Sequence, residues 1–562
     1  MKRCPECGRE YDSSMMFCLD DGAELLYGPA SESSTAILHS TTDPAEAPTR
    51  TQIDTTERTP DTTNPISIAS RRNSMVAVVI GILLVSALGI GSYWFYGRGG
   101  AKQIESIAVM PFVNESGNSE IEYLSDGITE TLIGSLSQLP NLGVKSRSMV
   151  FHYKGQTADL QKLGRDLDVQ AILTGRVIQR GEQLTLSLEL ADAQTGNAIW
   201  NRRYDRRLTD IVALQKEIAR DVSDKLRVKL SSPDEQKLTK SYTENAEAYH
   251  LYLKGAFYWN KQTESAYKEA ITYFNQAIEK DPNYALAYAG LANANVALGI
   301  DYVRPKEAFP VAKLYAQKAL DLAPELAEAH AAMGSINFFY DWDWAAADRE
   351  LKHVIELDPE SAEPYACTLH YLDSAGRPDD AVAEVRRIAA QHPTSITLNA
   401  EIGCSSYYAH RYDEAIADLQ NTIEMDPSFW NAYYNLGRSY GQKKMYKEAL
   451  VALTKASTLS NDTLFVIAEL GYANAASGNK AAAMEALHRL EDVGAGRYVD
   501  SYLKAIIYSG LGDKEKTLSE LEKAFQNRST WLIWARVEPK FDSLHNDRRF
   551  QDILQRMNLP AV

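Results

Sequence analysis

Cys4 and Cys7 stand in C-x2-C spacing near the start of the chain, and Cys18 follows with Asp21 where a second cysteine pair would close. Thiolates so spaced are metal ligands, because a tight turn aims two of them at one tetrahedral centre, and Gly8 and Gly22 supply the turns. Three thiolates and a carboxylate are acceptable to zinc, with Asp20 competing for the fourth place. So short a stretch cannot build a core without metal. Structural zinc on Cys4, Cys7, Cys18 and Asp21 is the expectation; the alternatives are a site that has lost its metal and unpaired thiols.

Residues 1–27 thus resemble a small zinc ribbon, with aspartate in place of the more usual fourth cysteine. Elsewhere the motifs of catalysis are missing. There is no P-loop, no G-x-S-x-G, no kinase loop set and no H-E-x-x-H, and the 10 histidines are scattered, so the chain is expected not to be an enzyme. A formal net charge of -16 argues against broad affinity for nucleic acid, whose phosphates need Lys and Arg to neutralise them. The 45% apolar and 24% charged composition is that of folded protein, at a length that allows several domains.

Between the ribbon and the rest, residues 28–74 are rich in Ser, Thr, Pro, Asp and Glu without apolar periodicity, the composition of a disordered linker. Met75 to Tyr96 then runs without a charge. At about 1.5 Å per helical residue it reaches about 33 Å, against a hydrocarbon core about 30 Å thick. Residues 75–97 are therefore read as a single transmembrane helix. It begins too far along the chain, and lacks the cleavage site, for a signal peptide. Arg71 and Arg72 before it, with Arg58, against Arg98 and Lys102 after it, favour an N-terminus in the cytoplasm, as do metal-type thiols that need a reducing compartment. Tyr93, Trp94 and Phe95 fall at headgroup level.

From 103 to 232 the pattern is α+β. Ser106 to Val113 reads as a strand and Tyr123 to Leu139 as a helix behind a Ser125/Asp126 cap. Val144 to Ser148 suggests a second strand and Leu160 to Leu167 a second helix. Three strand-like runs follow from Ala171, Gln183 and Ala198, joined by hairpin turns. An amphipathic helix, Leu208 to Leu230, closes the unit. In this order the segments IAVMPF, YLSDGITETL, VKSRS, FHYKG, LGRDLDVQAILTGRV and IWNRRYDR resemble the TolB-like amino-terminal domain over about 125 residues. The resemblance implies a bacterial inner-membrane protein, single-pass, with its C-terminal bulk outside the cytoplasm; such relatives carry a cytoplasmic output module where this chain has the ribbon. It implies no catalytic residues, and Asp126 and Gly127 most simply cap and start a helix.

Residues 244–528 are repetitive. Pro359, Pro393 and Pro427 recur at a spacing of 34, each preceded by a small residue and a larger apolar one four later: Ala347/Leu351, Ala381/Val385 and Ala415/Leu419. That is the period of the tetratricopeptide repeat, an all-α solenoid, and about eight units can be counted. Small residues let paired helices approach while the larger ones lock between them. Residues 529–562 resemble the closing segment of such arrays, ending in a capping helix at Arg549 to Met557. A solenoid of this kind has a groove lined by first helices, which holds a protein or peptide. Asn431, Tyr434 and Arg438, opposite the packing face, are the candidate groove contacts.

The sum is a multidomain chain: zinc ribbon, linker, one transmembrane helix, TolB-like α+β domain and tetratricopeptide solenoid. Its expected function is that of a membrane-anchored interaction scaffold. The alternative is a one-component transmembrane transducer whose ribbon contacts a cytoplasmic protein or nucleic acid.

Overall fold

In Gln183–Asp192 the residues Leu184, Leu186, Leu188 and Leu190 are buried while Thr185, Ser187 and Glu189 between them are half-buried, the period of two that a sheet with one covered face imposes. The computed structural model describes residues 2–3, 10–11 and 104–559, apart from 140, 157–158, 227, 229, 358–362 and 392–394. The chain divides into two units, Met1–Arg98 and Gly99–Val562. In the first, β1 (Lys2–Arg3) pairs antiparallel with β2 (Glu10–Tyr11). The expected zinc ligands, the linker 28–74 and the span 75–97 lie outside the described residues. Among the described residues no helix is long and apolar enough to cross a membrane.

The second unit opens with a six-stranded sheet built from β3 (Ser106–Val109), β4 (Val113–Asn114), β5 (Gly143–Val144), β6 (Ala171–Arg180), β7 (Gln183–Asp192) and β8 (Ala198–Arg207). The order is β5-β3-β6-β7-β8, with β4 also on β6. β3 runs parallel to β5 and β6, whereas β6, β7 and β8 form antiparallel hairpins with Gly181 and Gly196 in the left-handed region at their turns. Around it lie α1 (Glu122–Ser137), α2 (Arg147–Phe151), α3 (Leu160–Leu167), α4 (Ile211–Leu226) and α5 (Ser232–Leu238). Apolar residues of α1 and α4, such as Leu132 and Ile218, join the sheet's leucines in one core.

Three local expectations change. The second strand is only Gly143–Val144, because Arg147 onward turns into α2. The closing helix ends at Leu226. Ser125 and Asp126 do not cap α1: they lie inside it, and Asp126 instead accepts from Lys154 Nζ at 2.6 and 2.7 Å.

Eight helix pairs follow. They are α6 (Ala246–Trp259) with α7 (Glu264–Lys280), α8 (Ala285–Asp301) with α9 (Pro305–Leu322), α10 (Ala327–Ile336) with α11 (Trp344–Leu357), and α12 (Glu363–Ser374) with α13 (Pro378–Gln391). Then come α14 (Ile396–Tyr408) with α15 (Tyr412–Met425), α16 (Trp430–Gln442) with α17 (Tyr446–Ser460), α18 (Leu464–Ala476) with α19 (Lys480–Gly494), and α20 (Ser501–Gly510) with α21 (Lys514–Gln526). A Cβ added to Gly437 would stand 2.5 Å from Leu453 Cγ, so α16 and α17 approach as closely as they do only because that position has no side chain.

The sheet domain and the first repeat share one core. Leu253 of α6 fills the space over Gly127 of α1, where a Cβ would meet its Cδ2 at 2.7 Å. Beside it Thr131 Oγ1 and Tyr249 Oη are 2.9 Å apart, and Asn260 donates to Glu130 at 3.1 Å. Domain and array are thus continuous through residues that belong to two different sequence patterns. The first repeat also meets the loop that joins the seventh and eighth, where Arg497 lies 3.5 Å from Glu264.

Candidate functional site

The first helices line the interior of the array, and that interior is filled by the chain itself. After α21 the backbone turns at Arg528, φ 59°, and runs through two 3-10 turns, Thr530–Trp534 and Pro539–Leu544, to α22 (Arg548–Arg556). On the way it touches most repeats. Thr530 donates to the Ile300 carbonyl of α8 at 3.2 Å, and Arg528 to that of Tyr340 at 3.2 Å. Trp531 packs on Phe465 of α18; Trp534 stacks on Tyr408 of α14 and meets the edge of His370 of α12. Phe541 rests on Tyr502 of α20, and the Met557 carbonyl accepts from Trp344 Nε1 at 3.1 Å. Only α22 does what a capping helix should, with Arg549 on Glu515 at 2.8 Å and Arg556 paired to Glu522.

At the centre, Glu538 accepts from Arg438 Nη2 at 2.9 Å, from Tyr407 at 2.5 Å and from Lys540 at 2.8 Å. Lys540 Nζ also lies 3.0 Å from Glu469 and 2.8 Å from the Tyr407 hydroxyl. The Arg438 guanidinium stands over the Tyr407 ring, 4.1 Å from its centroid. Side-chain exposures of 4% for Arg438, 5% for Glu469, 2% for Glu538 and 0% for Lys540 show that all four charges are buried. Two acids and two bases balance, which is what allows them there. Burial would push the Glu538 carboxyl up, but Lys540 and Arg438 hold it down at about 2; Glu469 is pushed up by burial. The adjoining cavity is about 10 Å³, room for about one water.

This corrects the expected groove. Tyr434 and Arg438 do not face an open channel, because the segment after the repeats occupies it: both are buried, and Arg438 pairs with Glu538 across 100 residues of sequence. Asn431 is half-buried and accepts from Asn435 Nδ2 at 2.8 Å. Sequence reasoning missed Glu538, Lys540 and Glu469. The available signal was the segment Trp531 to Phe541, too rich in tryptophan and paired charge for a simple end cap.

A second buried polar group lies beside it. Asp373 of α12 is fully buried and accepts from Ser405 Oγ at 3.2 Å, while His370 Nε2 lies 3.2 Å from Glu401 of α14. Burial pushes the Asp373 carboxyl up to about 8. Burial would lower the His370 imidazole, but Glu401 reverses this and raises it. Cys404 is an unpaired thiol, pushed up by burial. Among the described residues no group of three or more His, Cys, Asp or Glu could hold a metal ion.

Residues 102–221 match the family described as HilA/YgeH-like transcriptional regulator, second domain, and residues 401–458 match the tetratricopeptide repeat. The description matched over the α+β domain differs from that of the TolB-like family its motifs resemble. A protein of Rhizobium meliloti named "Putative adenylate cyclase 3" is 37% identical over 187 residues, 33% of this chain and 32% of that protein. Superkiller protein 3 of Schizosaccharomyces pombe is 24% identical over 221 residues, 39% of this chain and 13% of that one. The chain thus spans about a third or less of the length of these curated relatives. Among solved structures, YrrB, a TPR protein with an unusual peptide-binding site, has a TM-score of 0.24 at 21% identity, covering 34% of this chain and 95% of its own. PilW, a type IV pilus biogenesis factor, has a TM-score of 0.28 at 21% identity, covering 36% and 92%. The expectation that the chain is not an enzyme is overturned by the cyclase-named relative: missing motifs were its basis, and a protein of that name is 37% identical over 187 residues. The helical part of the chain carries tetratricopeptide repeats in a solenoid.

Two outcomes follow from the interior. Glu538→Ala leaves Arg438 and Lys540 buried without their shared partner and should cost about 3–5 kcal/mol, read as a lower urea midpoint. An unchanged midpoint would mean that the segment is not held by its charges. For Asp373 and His370, both pKa values are raised in the folded chain, so each contribution is full at low pH; that of Asp373 is lost as pH rises from about 4 through about 8, and that of His370 as pH rises above about 6.5. Glu538, held down, acts oppositely and loses its contribution only as pH falls from about 4 toward 2. Stability should therefore fall between about pH 4 and about pH 8, and Asp373→Asn should flatten that fall in urea titrations at each pH.

Proposed function

We propose that this chain is a membrane-anchored protein–protein interaction scaffold. The observation that carries the reading is the run of eight helix pairs fused through a shared core to the α+β domain, a surface with many faces on one rigid frame. Because the interior holds the chain's own segment, partners are met on the outer surfaces. A zinc ribbon on Cys4, Cys7, Cys18 and Asp21 lies on the cytoplasmic side, the span 75–97 anchors the chain in a bacterial inner membrane, and the TolB-like domain and repeats lie outside. Zinc is a structural partner of the three thiolates and the carboxylate, whose chemistry suits a closed tetrahedral site.

A second reading is favoured by the HilA/YgeH-like match over residues 102–221 and by the cyclase-named relative. In it the chain is a one-component transducer or regulator whose cytoplasmic end signals to a protein or nucleic acid.

Protease added to spheroplasts should digest the repeat array while leaving residues 1–74 protected; protection of the array instead would reverse the orientation. Removing residues 1–74 should leave partner binding unchanged if the chain is a scaffold, and loss of a signalling phenotype with binding intact would favour the transducer. A peptide of residues 1–30 should bind one equivalent of zinc, and less than that would remove the ribbon from the proposal.

A further inference from the structure

The sheet of the α+β domain ends on β8, and that edge is long. β5, at the opposite edge, has 2 residues, whereas β8 has 10 and no strand on its outer side among the described residues. Leu208 donates its backbone N–H to the Glu182 carbonyl at 2.8 Å, which fixes the phase of the β7–β8 ladder. Residues of the same parity, Arg206, Tyr204 and Arg202, bond to β7; Asn201, Arg203 and Asp205 turn their N–H and C=O groups outward, and Arg207 its N–H. All four outward residues are exposed. The one irregularity lies opposite Leu190/Ala191, at the start of β8, so Trp200 to Arg207 stays regular.

Natural sheets usually keep exposed edges short or bulged, since an unpaired row of donors and acceptors is a template for another strand. The charge on this edge says what kind. The strand carries Arg202, Arg203, Arg206 and Arg207 against Asp205 alone. On the helix-covered face Arg202 and Arg206 are answered by Glu217, at 2.9 and 2.7 Å, and Arg202 also by Asp221. On the open face Arg203 pairs only with Asp205, at 3.1 Å, and its side chain is 67% exposed. The edge is basic in a chain of net charge -16. A second copy's β8 would bring arginine to arginine. A phosphate backbone could accept from the outward N–H groups but has nothing to donate to the outward carbonyls, whereas a peptide strand supplies both.

We propose that the β8 edge docks an extended acidic segment of a partner protein by strand addition. The inference rests on the scaffold reading, to which it adds the surface and the chemistry of the partner.

The test uses the full chain and a fluorescein-labelled peptide of about ten residues alternating glutamate and threonine, matched to the strand, with a lysine-for-glutamate version and a short DNA duplex as comparators. Fluorescence anisotropy should show binding of the acidic peptide alone, weakening as salt is added. Arg203→Pro removes an outward donor without touching the β7 ladder and should weaken binding about tenfold or more. Arg203→Glu with Arg207→Glu should lose the acidic peptide and gain the lysine one. If circular dichroism shows Arg203→Pro unfolded, the charge reversal decides. No binding of the acidic peptide, equal binding of either comparator, or indifference to both changes overturns the proposal. A partner still captured by the charge-reversed chain would sink this inference and spare the scaffold; a chain that captures nothing in any form would sink the scaffold reading itself.

Discussion

The carboxylate of Glu538, set between Arg438 and Lys540 inside a ring of tyrosines, is the constraint on which the repeat array depends. A buried charge is tolerated only when paired and hydrogen-bonded, and each of these groups is paired with a residue from a different stretch of chain. Arg438 belongs to the sixth repeat, Glu469 to the seventh, Tyr407 to the fifth, and Glu538 and Lys540 to none. Satisfying them all fixes where three repeats stand relative to the segment between them. Such networks add specificity more than raw stability, since well-packed apolar residues would often serve energetically as well.

From this centre the rest of the interior is organised by aromatic contact. Trp531, Trp534 and Phe541 extend the segment's grip from the fourth repeat to the eighth, and Thr530 carries it to the second. Stacked repeats ordinarily touch only their neighbours, and their stability is a sum of local terms. Here distant repeats share one filler, so they stand or fall together. The usual binding surface of a solenoid is given over to internal structure, and recognition is left to the outside of the array and to the sheet.

The local part of this architecture was legible in sequence. Ala347/Leu351, Ala381/Val385 and Ala415/Leu419 are all buried between paired helices, as a small residue followed four later by a larger one should be. The strands from Ala171 to Arg207 showed themselves through period-two alternation and the glycines at their turns. What the pattern could not carry was long-range pairing. Asp126 has the look of a helix cap, yet its partner Lys154 lies 28 residues on; Arg438 has the look of a groove contact, yet its partner lies 100 residues on. No local period encodes those distances. The expectation of no enzymatic activity rested on missing motifs, and a stretch of 187 residues, 37% identical to a cyclase-named protein, carries none of those motifs to be read.

The segment that holds the interior follows all eight repeats in the chain, and this has a consequence for biosynthesis. During translation the helix pairs can form one by one as they leave the ribosome, since each contacts its neighbours. Arg438, Tyr407 and the aromatic lining must meanwhile wait in contact with water. The array can close only when Trp531 to Lys540 has emerged, so a chain stopped short of that point is marked by an open, aromatic interior, a surface that chaperones and proteases read as unfinished.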